Sequence, residues 1–267
     1  MASNPAFSPN NFIRAAAAAK AGEQTTRDIT PAQLDELYGR PSATPADTER
    51  MTYEDTIVKT VITLGATFIG GAIGFFVPLL ALPALLIGTV LAFVNIFKKK
   101  PSAALVLAYG LFQGIAIGGF SGVLERALPG IIGQALLATG LVIGVTLALF
   151  ASGKIRASAK ATKVFLIAMI AYAAFSLVNF GLMVFGVSDD PWGLRGAEIF
   201  GIPFGLIIAP LVILLGAYSL VLDFTDIKQG VEQGAPRNFA WKAAFGLVLT
   251  IIWLYVEILR FIAIFRE

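Results

Sequence analysis

Residues 243–265 read AAFGLVLTIIWLYVEILRFIAIF, and this stretch decides the class of fold. At about 1.5 Å per residue, a helix of this length crosses a hydrocarbon core of roughly 30 Å. Its only charged members are Glu257 and Arg260. Six further apolar runs lie upstream: Ile57–Val77, Leu79–Phe97, Ala103–Leu124, Ile131–Ala151, Val164–Val187 and Ile199–Leu222. Backbone polar groups in lipid must be satisfied within their own segment, and these runs are too long and too uniformly apolar for barrel strands, which alternate over about ten residues. Composition agrees. With 57% hydrophobic and 14% charged residues and a mean hydropathy of +0.80, too little polar surface remains to coat a soluble globule of this size. The expectation is an all-α polytopic membrane protein of seven transmembrane helices. Only the turn around Pro78 and Pro83 separates the first two runs, so six spans is the open alternative.

The first 50 residues are of another kind, rich in Ala, Ser, Thr and Pro with scattered charge and no sustained apolar period. They read as a flexible cytoplasmic tail preceding a membrane domain at 51–267. The Met1 end lacks the basic stretch and short apolar core of a secretory signal. Phe12–Ala21 and Thr30–Tyr38 read as short helical pieces, the second opened by Thr30 and Pro31. Either a solvated tail or a docking segment fits this composition.

Basic residues accumulate in cytoplasmic loops. Lys98, Lys99 and Lys100 follow the second run; Lys154, Arg156, Lys160 and Lys163 follow the fourth; Lys228, Arg237 and Lys242 follow the sixth. The opposite loops hold Arg126 and Arg195. Seven crossings of a cell inner (plasma) membrane then put the N-terminus in the cytoplasm and the C-terminus outside, with Arg260 and Arg266 arguing against the second half. The pI near 9.2 is thereby a topology signal, and no nucleic-acid partner is implied.

The chain has no cysteine and no histidine. That excludes disulfides, thiolate nucleophiles, Cys or His zinc sites and Ser–His chemistry. No Gly-rich phosphate loop is present, and Asp223 follows Ser219-Leu220-Val221-Leu222, without the Gly-x-Gly-Asp pattern of intramembrane aspartyl proteases. No enzymatic activity and no cofactor are expected.

What remains is the polar content of the apolar runs, where each ionisable residue is costly and so a functional candidate. Asp223 ends the sixth run, Glu257 lies inside the seventh, and Glu125 closes the third; Asp226 and Arg260 stand three residues from Asp223 and Glu257. Arg260 could neutralise Glu257 on the same helix face or snorkel outward, and Glu125 with Arg126 could form a solvated interfacial pair. Asn95, Gln113 and Asn179 suit helix–helix hydrogen bonds. Should Asp223 and Glu257 meet, they would share a proton or recruit a hard cation such as calcium. A turn centred near Gly234 would leave Glu257 deeper than Asp223, whereas equal depth needs a turn nearer Ala240.

The segments MTYEDTIVKT (51–60), AYGLFQGIAIGGFSGVLE (108–125), LVLDFTDIKQGV (220–231) and WLYVEILRFIAIF (253–265) together resemble the Bax inhibitor-1-like family, in detail its actinobacterial branch. The resemblance implies a central, mildly amphipathic seventh helix surrounded by six others. In bacterial relatives it implies a pH-dependent calcium leak governed by acidic residues on helices six and seven, and in eukaryotic members suppression of cell death. Asp223 matches the first acidic position; at the second, Glu257 stands where Asp is usual. So read, the resemblance leaves the 50-residue tail outside. It points to a pH-sensitive, calcium-permeable channel with Asp223 and Glu257 as gate and cation site, Arg260, Asp226 and Glu125 in support, and calcium and protons as its ions. The alternative is a non-conducting interaction protein that regulates a membrane quality-control protease. An active transporter would also use buried acids, but no paired interrupted helices or inverted repeat are evident.

Overall fold

The computed structural model describes residues 50–187 and 190–267; all of the tail but Arg50, with its two short helical readings, lies outside the described residues. Seven helices follow in order: α1 (Tyr53–Phe76), α2 (Ala81–Phe97), α3 (Ala103–Ala127), α4 (Ile131–Ala151), α5 (Ala159–Val184), α6 (Phe204–Glu232) and α7 (Phe239–Arg266). Each is long and apolar enough to cross a membrane. The protein is an all-α polytopic membrane protein. The six-span alternative falls at Val77, whose ψ of 71° leaves the helical region before a 3-10 turn at Pro78–Leu80. Pro78 has no N–H to continue the ladder and crowds the residue before it out of the α region.

The sixth run departs from expectation at both ends. Its first residues form a hairpin, β1 (Glu198–Ile199) and β2 (Ile202–Pro203). Phe200 and Gly201 turn it with φ of 56° and 76°, the paired positive angles of a two-residue hairpin loop. At the other end α6 continues through Asp223 to Glu232, because DFTDIKQGVE contains no Pro and ends before the positive φ of Gly234.

Burial identifies the central helix. In α7, 61% of the membrane-length window is buried, against 11–39% in the other six. α1, α3, α4 and α6 pack directly on α7, while α2 lies against α3 and α5 against α6 and the turn before it. Leu220, Val248, Leu254 and Leu259 are almost wholly enclosed. Large apolar side chains on the outside, such as Phe68 and Leu137, face where lipid would be. α1 and α3 approach most closely. A Cβ on Gly114 would overlap the Thr67 carbonyl oxygen, and one on Gly70 the Leu111 carbonyl oxygen, so small residues set this backbone contact.

The Lys and Arg clusters define a basic end of the bundle. There the chain before α1 lies along the α6–α7 turn: Met51 N–H donates to the Ala235 carbonyl at 2.8 Å, and Arg50 bridges to Pro236. Lys59 Nζ donates to Asp55 Oδ2 at 2.5 Å and to the Arg237 carbonyl at 3.0 Å. Its ammonium also lies 5.4 Å from the centre of the Trp241 ring. Residue by residue, the start of α1 is thus fastened to the base of α7.

Candidate functional site

Asp223 stands on α6 nine residues before the helix ends, and α7 runs back antiparallel beside it. The Thr250 hydroxyl of α7 donates to Asp223 Oδ2 at 2.7 Å and lies 3.4 Å from the Ser219 hydroxyl. Gly246 keeps the facing wall thin, since a Cβ there would stand 3.4 Å from Asp223 Oδ1. Asp223 and the exposed Asp226 line a cavity of about 410 Å³ at the basic end, with Met51, Lys242 and Phe245 among its walls. Two carboxylates and one exposed lysine line the cavity.

Glu257 belongs to a second cluster. It lies seven residues beyond Thr250, hence on the same stripe of α7 but two turns away, about 10 Å along the axis. Only 6% of Glu257 is exposed. Arg260 Nη1 donates to its Oε1 at 2.9 Å, and Arg195 Nη1 to its Oε2 at 3.4 Å. Arg195 is itself buried, bonds the Tyr172 hydroxyl and Ser176 Oγ of α5, and stacks on the Tyr172 and Phe175 rings. It reaches the bundle from the α5–α6 connection, through a 3-10 turn at Gly193–Arg195. Asn179 holds that turn in place: its Oδ1 accepts from Leu194 N–H at 2.6 Å, and its Nδ2 donates to the Trp192 carbonyl at 3.2 Å. The Trp192 indole N–H donates to Glu267 Oε2 at 2.7 Å. The connection is folded inward against α5 and α7.

Between the two clusters lie Leu220 and Leu254, with 0% and 1% exposure, and Leu254 fills the space beside Gly216. The shared-proton pair is therefore not the arrangement found. Asp223 is held by a hydroxyl, Glu257 by two guanidiniums, and a layer of leucine separates them. Chain register explains this: the α6–α7 turn is centred near Gly234, so antiparallel pairing sets Asp223 against Thr250 and leaves Glu257 deeper. One carboxylate between two arginines is a net positive environment, which repels a divalent cation. Among the described residues no three acidic side chains gather as a metal cage.

The family model described as Bax inhibitor 1 like matches residues 4–267. The chain belongs to this family. The match takes in almost all of the N-terminal segment, which the motifs alone leave outside. No curated protein matches the chain significantly.

In this Bax inhibitor 1 like protein the remaining candidates sort by position. Glu125 sits at the end away from the lysines and caps α4, accepting from Gly130 N–H at 2.6 Å and Ile132 N–H at 3.0 Å; its role there is to satisfy a helix start. Arg126 reaches the Phe75 carbonyl at 3.4 Å, so the two adjacent charges serve separate backbones. Arg260 stays on Glu257 and does not snorkel away. Asn95 ties α2 to α3 through the Leu91 and Leu105 carbonyls, and Gln113 packs against Gly88. The residue missed from sequence is Arg195, read there as a loop charge. A signal existed: a deep carboxylate needs a counter-charge, and Arg195 lies in the connection at the Glu257 end.

Proposed function

We propose that this protein is a passive, proton-sensitive cation leak of the cell inner (plasma) membrane, permeable to calcium, with its path along the α6–α7 seam. The observation that carries the reading is a carboxylate-lined cavity on one side of a thin leucine layer, with the buried Arg195–Glu257 pair on the other. The basic end is assigned to the cytoplasm by its lysines and arginines. The cavity is then a cytoplasmic vestibule in which Asp223 and Asp226 attract cations. Leu220 and Leu254 form the dry constriction, a device that gates by excluding water. Arg195, paired to Glu257, closes the outer half. Proton sensitivity follows from charge: a protonated Asp223 no longer attracts a cation, so flux falls when the vestibule is acidified.

The test is calcium flux into liposomes holding only this protein, with the vestibule side set to about pH 6 or about pH 8. The reading expects greater flux at the higher pH, loss of most flux and of its pH response in Asp223→Asn, and increased flux in Arg195→Met. No flux in any of these would end the channel reading and leave the interaction protein in its place.

A further inference from the structure

We infer that the cleft between α1 and α4 holds an anionic phospholipid, its headgroup on Arg156 and Lys228 and one acyl chain lying against α7. Both helices pack on α7 but hardly on each other, so α7 remains accessible from the side between them. Two adjoining cavities of about 550 and 500 Å³ occupy this cleft and share Ile143 and Ile251. On α1 the lining runs from Tyr53 to Phe75, about 33 Å of helix, close to the thickness of a bilayer core. The slot therefore follows the direction in which an acyl chain lies.

Charge supplies the headgroup. Neither cavity is lined by any acidic residue, and the far one is lined by no charged residue at all, whereas Arg156 and Lys228 both line the near cavity at the basic end. Arg156 is steadied at the rim by the Phe150 carbonyl and by its ring at 4.8 Å, which leaves other guanidinium N–H groups to donate. Lys228 is loosely paired with Glu232 at 3.6 Å, and both side chains are exposed. Two cations above an apolar slot match a phosphate headgroup with net negative charge better than a zwitterion whose ammonium would meet them. The cleft opens sideways along its length, with Ile57, Phe68 and Leu147 exposed, so lipid enters from the bilayer without any helix moving. This inference is independent of the calcium reading.

The test is native mass spectrometry of the full chain in detergent, offered phosphatidylglycerol and phosphatidylcholine with identical acyl chains. Retention of phosphatidylglycerol on the order of tenfold above phosphatidylcholine is expected from two favourable cation contacts. The paired change Arg156→Gln with Lys228→Gln should abolish that preference and leave phosphatidylcholine retention unchanged. Gly140→Trp should lower retention of both lipids: Gly140 lines the far cavity, and a Cβ there meets nothing within 4 Å, so an unchanged melting temperature should confirm its fold. Equal retention of the two lipids by the unaltered chain, or a preference that survives the paired change, overturns the inference. So does a photo-crosslinker replacing Leu147 that captures a second copy of the chain, or residues 1–49, in place of lipid.

Discussion

At Glu257 the charges do not balance. One carboxylate faces two guanidiniums, the buried Arg195 and the half-buried Arg260, so removing the acid leaves two cations together in a largely enclosed site, while removing Arg195 leaves a neutral pair. Glu257→Gln should therefore destabilise the protein more than Arg195→Gln, by something approaching the roughly 3–5 kcal/mol of a broken buried pair. The double change should recover part of the loss. Unfolding in detergent measures all three, and the reverse order of the single variants would contradict this account of the cluster. Thr250→Val keeps side-chain shape but takes away the hydroxyl that donates to Asp223; a cost of about 1.5–3 kcal/mol is expected for a lost hydrogen bond to a charged group. At this scale the sequence was partly readable. Asp223 and Glu257 stood out because charge is rare in apolar runs. Their partners did not, because a threonine inside a helix carries no distinguishing signal, and an arginine in a loop reads as topology until a tertiary fold turns it inward.

Among the elements, α5 and the connection after it form one unit through Asn179. Asn179→Leu removes both the acceptor for Leu194 N–H and the donor to the Trp192 carbonyl. Hydrogen exchange at residues 192–196 should then rise at least tenfold, with α7 unchanged; protection that persisted would mean the connection is held by something else. Close packing of α1 on α3 gives a second contrast. Gly114→Ala forces a methyl into the Thr67 carbonyl and should cost at least about 1–3 kcal/mol. Gly133→Ala meets nothing within 4 Å and should gain up to about 1 kcal/mol from helix propensity. Helices were legible from run length, and their limits failed where local backbone chemistry intervened. Gly201 and Pro203 converted the start of the sixth run into a hairpin, and the polar DFTDIKQGVE stretch stayed helical although hydropathy alone ends the run at Leu222.

Across the whole molecule, the seven-span count followed from composition and length, and the offset of Asp223 from Glu257 followed from where the α6–α7 turn is centred. Lateral openness between α1 and α4 was invisible, since nothing in a sequence says which apolar stripes meet protein and which meet lipid. Orientation can be tested directly because the chain has no cysteine, so a single introduced one is a unique probe. Phe200→Cys at the exposed hairpin tip should react with a membrane-impermeant maleimide added to intact cells, and Lys99→Cys only after lysis; the opposite pattern would invert the topology.

The inward-folded connection has an electrical consequence. If the basic end faces the cytoplasm, as proposed above, a resting potential negative inside draws the Arg195 guanidinium inward, toward Glu257. A charge that crossed the entire field would feel about 2.3 kcal/mol per 100 mV, and Arg195 spans only the outer portion. On the proposed reading, depolarisation removes one contribution to its seating, beside the bonds to Glu257, Tyr172 and Ser176, and would couple the tightness of this bundle to the energised state of the membrane around it.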